Sequence, residues 1–146
     1  MKIRFFVVIL IVVSLASGCA NGEKKESKLS LDTVVQAIKA EGPELISQGQ
    51  LDYGFAVIND VKPHLFSIGN QLEDIARHEN IYIYFFDSEQ ARKDGLNTFN
   101  QYLKANDLAL YQFAYEQKNM LIIYYSSKYE DSKVDEKIQT AIQTLN

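Results

Sequence analysis

One residue in the chain stands out for its chemistry. The only cysteine among 146 residues, Cys19, closes an apolar run and opens a polar one, in "VSLASGCANGEKKES". A thiol is a good nucleophile near neutral pH because its thiolate is accessible there. Two histidines, His64 and His78, lie fourteen positions apart without HxxxH or HExxH spacing. Asp60 is close to the first in sequence, and Glu73 and Asp74 to the second, so a metal site would have to be assembled by the fold. Surface histidines beside turn-forming acids are the commoner outcome. Glu73-Asp74 and Glu130-Asp131 are adjacent carboxylates, but glycan cleavage needs two carboxylates set across a cleft, which adjacency does not supply. No GxSxG elbow and no phosphate-cradling glycine pattern occurs, and Ser126-Ser127 reads as a strand end. Nothing here specifies a catalyst.

What surrounds Cys19 specifies a destination. Lys2 and Arg4 form a positive start, Phe5 to Ala16 is almost unbroken apolar sequence, and Ser17 and Gly18 are small. The stretch from Phe5 to Ala20 counts sixteen residues, short against the roughly 20 that span a bilayer as a helix. "LASGC" resembles the bacterial lipobox, in which small or aliphatic residues lead to Gly or Ala and then Cys. Ala16 departs from the usual leucine, with Leu15 one place earlier. The resemblance implies that residues 1–18 are a lipoprotein signal peptide and that Cys19 is the lipidation site, carrying diacylglycerol on its sulfur. Two or more acyl chains anchor a protein stably, each buried CH₂ adding about 0.8 kcal/mol. The alternative is an ordinary secretory signal cut near Gly18, or one retained as an anchor.

With Cys19 modified no thiol remains, so no disulfide or cysteine-based metal site is expected and stability must come from an apolar core. Taking 18 residues from 146 leaves 128, enough for one domain. The whole chain has 15 basic and 19 acidic residues; losing Lys2 and Arg4 leaves 13 against 19, a net charge of −6. An acidic domain argues against nucleic acid and anionic envelope polymers as main partners.

The elements follow from patterning. Residues 19–30, "CANGEKKESKLS", lack apolar periodicity and read as a flexible tether reaching at most about 36–40 Å. Residues 31–146 are expected to form a globular domain. Leu31, Val34, Val35 and Ile38 share one helical face after Ser30 as N-cap, and Gly42-Pro43 ends that helix. "ELIS", "LDYGFAVI" and "HLFSI" read as short strands, the second from the alternation of Leu51, Tyr53, Phe55 and Val57. Asn59-Asp60 and Lys62-Pro63 read as turns. "IYIYFF" (81–86) is apolar on both faces, as in a mid-sheet strand. A helix capped by Asp87 or Ser88 follows, with Gly95 marking either close approach to the sheet or a break. Residues 108–127 read as a hairpin turning at Gln117–Asn119. Val134, Ile138, Ala141, Ile142 and Leu145 give a final helix, with Ser132 and Asp135 at capping-box spacing. The expected fold is α+β: a single small domain with a mixed, mostly antiparallel sheet and about three amphipathic helices packed on one face.

"IYIYFFDSEQARKDGL", "KNMLIIYY" and the C-terminal helix together resemble small lipoproteins of Gram-positive bacteria that have no assigned activity. The shared features are core strands and a capped helix, so no site residue follows from the likeness.

Nine tyrosines remain to be placed, and Tyr82, Tyr84, Tyr111, Tyr115, Tyr124 and Tyr125 fall on expected strands. Aromatic faces with a hydroxyl suit sugars, peptides or proteins, although sheet tyrosines more often bury the ring and wet the OH. The leading expectation is a non-catalytic interaction or binding module on the extracytoplasmic side of the cell membrane. It would be held by the Cys19 diacylglycerol and partnered by an envelope protein or glycan, with no cofactor, no metal and no nucleic acid. The alternative is a small envelope hydrolase or metal-dependent enzyme using His64, His78 and nearby carboxylates. A ligand carrier for a transporter usually needs a cleft between two domains, and 128 residues supply one.

Overall fold

A computed structural model describes residues 27–69, 79–106, 111–126 and 133–145. Helix α1 (Leu31–Ala40) starts where Ser30 Oγ accepts the Thr33 N–H, as the sequence suggests, with Asp32 in the first turn and Lys39 in the last. It ends at Glu41, before Gly42 at φ +104°. Strands β1 (Leu45–Gln50) and β2 (His64–Ile68) flank a connector holding the 3₁₀ turn Gly54–Ala56. Strand β3 (Glu79–Phe85) leads into α2 (Glu89–Asn106), which Ser88 caps by accepting the Ala91 N–H at 3.1 Å. Hairpin strands β4 (Tyr111–Gln117) and β5 (Met120–Ser126) precede α3 (Lys133–Gln143).

The five strands lie in the order β1-β2-β3-β5-β4, and each neighbouring pair is antiparallel. The fold is therefore α+β, with three helices on one sheet among the described residues. The parallel relation expected of a mixed sheet exists only at a distance: β3 and β4 run parallel but β5 separates them, and α2 makes the crossover.

The helices cover both faces of the sheet, not one. On the first face Phe66, Ile81, Ile83, Ile122 and Tyr124 meet Val34 and Ile38 of α1 and Ile138, Ala141 and Ile142 of α3. On the second face Tyr84, Leu121 and Ile123 lie under Phe99 of α2 and Ile58 of the connector. Period-two alternation along β3 and β5 sends neighbouring residues to opposite faces. That is why both strands are apolar throughout. Gly95 lets α2 approach closely: a Cβ there would sit 2.6 Å from Phe86 Cε1, inside contact distance. The helix continues unbroken through it.

One pole of the sheet gathers the ends of β1, β3 and β4 and the starts of β2 and β5. The chain enters there. Leu29 N–H donates to Asn119 Oδ1 at 2.8 Å, and Asn119 Nδ2 donates to Phe86 O at 3.2 Å. Lys118 Nζ lies 3.3 Å from Ser27 Oγ, and Lys28 lies 3.8 Å from Asp87. The end of the expected tether is thus already joined to the domain. Arg92, buried on α2, pairs with Glu89 and Glu116, and its Nε donates to Lys118 O at 2.7 Å.

Candidate binding site

The stretch 51–58 reads as a strand by alternation, but it folds as a bend and a 3₁₀ turn. Gly54 at φ +37° breaks the extended path, and Asn59 and Asp60, at φ 48° and 65°, reverse the chain as the sequence suggests. Ile58 and Val61 close that reversal with paired backbone hydrogen bonds of 3.1 and 2.9 Å.

The connector is fastened along its length. Leu51 N–H donates to Pro63 O at 3.0 Å, and Lys62 pairs with Asp52 at 2.7 Å. Tyr84 OH donates to Ala56 O at 2.9 Å in a buried setting, and Thr98 Oγ1 donates to Asn59 Oδ1 at 3.0 Å. Ile58 is buried against the second face. With its inward residues held this way, Tyr53 and Phe55 project outward, 52% and 66% exposed. Their rings meet edge to face at 5.8 Å.

Helix α2 supplies the opposing wall. Tyr102 is 40% exposed, and Phe55 and Tyr102 flank a cleft of about 350 Å³ whose lining includes Ile58, Phe99 and Thr98. Among the described residues, no carboxylate, histidine, lysine or arginine lines it. Beside it, Tyr82 and Tyr125 meet edge to face at 5.3 Å. Burial pushes the Tyr125 phenol up to about 12, helped by Tyr82 and Tyr102. Burial first, and then Tyr53, raises Tyr82 as well. These phenols stay protonated at physiological pH. The cleft offers apolar area and neutral aromatic faces, suited to a neutral amphipathic surface and not to acid–base work.

The strand tyrosines singled out in the sequence turn largely inward. Tyr84 and Tyr124 are buried, and Tyr82, Tyr115 and Tyr125 are half-buried. Tyr124 OH bonds Glu79, and Tyr115 OH bonds Asp135. The Tyr111 side chain lies outside the described residues. The exposed aromatics Tyr53, Phe55 and Tyr102 sit instead on the connector and α2. Alternation hid the first two, which read as strand residues. Tyr102 lies between Phe99 and Leu103, both of which pack on the second face.

His64 lies half-buried on β2, opposite Gln50 and Ile83, and Asp60 sits exposed at the tip of the connector turn. Cys19, Glu73, Asp74, His78, Ser127, Glu130, Asp131 and Ser132 lie outside the described residues. Among the described residues, no group of three His, Cys, Asp or Glu side chains could hold a metal ion, and no helix is long and apolar enough to cross a membrane. Comparison with protein-family models, curated proteins and solved structures finds no match to the chain.

Proposed function

We propose that the chain is a lipid-anchored lipoprotein on the extracytoplasmic side of the cell membrane, and that its domain is a non-catalytic binding module. The anchor is the diacylglycerol on Cys19, and the partner is an envelope protein or glycan that covers the cleft between Phe55 and Tyr102. The order of positive start, apolar run, small residues and Cys19 supports the anchor. One observation supports the binding role above others: a connector tied down at Ala56, Ile58 and Asn59 holds Tyr53 and Phe55 in water. Fastening a loop so firmly while exposing two aromatic rings costs free energy that a partner's contact would offset.

The test is cross-linking in intact membranes, with partners identified by mass spectrometry in wild type, Cys19→Ala and Phe55→Ser strains. A reproducible partner lost in Phe55→Ser, together with release of the Cys19→Ala protein from the membrane, is the expected result. Undiminished cross-linking in Phe55→Ser would remove the cleft from the proposal. Membrane retention of Cys19→Ala would remove the lipid anchor.

A further inference from the structure

The two edges of the sheet are built differently. On β1 the register slips between Ser47 and Gly49, Gly49 takes φ +86°, and its N–H turns to Ser47 Oγ at 3.3 Å. A bulge of this kind blunts an edge against further pairing. Strand β4, at the other end, has no such device. Its seven residues run in unbroken register against β5 and include no proline, lysine or bulge.

The phase of its hydrogen bonds follows from the ladder. Phe86 N–H donates to Asn119 O at 2.8 Å, so Leu121, Ile123 and Tyr125 bond toward β3. Met120, Ile122 and Tyr124 then bond toward β4, through Gln117, Tyr115 and Phe113. The backbone groups of Gln112, Ala114 and Glu116 therefore point outward from the last of the described strands. At the same edge Gln112 Oε1 is buried without a hydrogen-bond partner among the described residues.

A groove of about 550 Å³ follows this edge, with α3 as its far wall. Tyr115 and Gln117 line one side and Gln139, Ile142 and Gln143 the other. Among the described side chains its charge is one-sided. Asp135, bonded to Tyr115 OH, and Glu136 lie within a turn of Gln139, whereas Lys137 reaches away to within 3.3 Å of the Cβ position of Gly42. Burial, and after it the Glu136 carboxylate, raise the Asp135 pKa.

We propose that β4 is a strand-addition edge that takes an extended, basic segment of a partner protein as a sixth strand. The segment's main chain would pair with Gln112, Ala114 and Glu116. Alternate side chains would enter the groove beside Gln139 and Ile142, placing lysine or arginine near Asp135 and Glu136. A second copy of the chain is a poorer occupant, because it brings the same carboxylates to the same groove.

The probe is an acetylated, amidated heptapeptide alternating lysine and valine, titrated to about 1 mM against the isotope-labelled full chain in detergent micelles. Its controls are a glutamate–valine counterpart and a version N-methylated at every second residue. The Gln112, Ala114 and Glu116 amide signals should shift and saturate with the basic peptide alone, and their hydrogen exchange should slow by about tenfold. Gln139→Lys, an exposed change, should weaken binding by about two- to fivefold while leaving the spectrum folded. Unmoved β4 amides, or equal binding of the N-methylated or acidic peptide, would overturn the proposal. So would protection of the same amides without peptide in a particle of dimer mass.

Discussion

The two faces of the sheet use different materials. The first is mostly aliphatic and sealed by two helices: among the described residues Ile81, Ile83 and Ile122 are fully buried under Val34, Ile38, Ile138 and Ala141, with Phe66 and Tyr124 as its buried rings. The second is aromatic and covered by one helix and an irregular connector, and it ends in three exposed rings. The contrast separates holding the fold together from presenting a surface. Close-packed aliphatic layers tolerate little change, whereas rings that are already in water cost almost nothing to alter.

The largest break in this comparison should come from Ile122→Ala. Removing a fully buried side chain on the first face should cost about 2–5 kcal/mol, read as a lower urea midpoint with unchanged slope. Gly95→Ala should come next. Its methyl meets the Phe86 ring, so overpacking of about 1–3 kcal/mol outweighs a helix-propensity gain of at most about 1 kcal/mol. A more stable Gly95→Ala protein would mean that α2 is not tightly seated on the second face.

A pH titration sharpens the comparison further. The Tyr125 phenol is held at about 12 in the folded state, against about 10 in the unfolded chain. The folded state therefore keeps its proton to higher pH. Stability from this group is whole below about pH 10 and is lost as pH rises through about 12. Tyr125→Phe should move the alkaline unfolding midpoint upward, followed by circular dichroism beside tyrosinate absorbance; an unmoved midpoint would place the alkaline weakness elsewhere. The smallest effect on stability should be that of Phe55→Ser, within about 0.5 kcal/mol, since its ring is 66% exposed. A large loss of stability there would make Phe55 part of the core.

Much of this division is legible in the residues. "IYIYFF" and "MLIIYY" are apolar at every position, which already requires cover on both faces, although the helices were expected on one. Ser30 and Ser88 are found as caps because a short side-chain oxygen before an apolar stripe has few other uses. The connector departs from its sequence pattern for a physical reason. Leu51, Tyr53, Phe55 and Val57 do alternate, but Gly54 at positive φ ends the extended path, and periodicity does not register a backbone angle. The same angle turns the aromatics of the candidate site, Tyr53 and Phe55, out of the strand pattern. The β4 edge was equally hidden, because strand order is set by contacts between distant residues.

The Asn119 clasp also has a mechanical side. A pull on the chain upstream of Leu29 enters the domain at the β4–β5 turn, where Asn119 also holds Phe86, and Arg92 grips the neighbouring Lys118 carbonyl. The load therefore reaches α2 and the two central strands without first passing through α1. A pull at Leu29 is therefore shared between the sheet and the helix that walls the aromatic cleft.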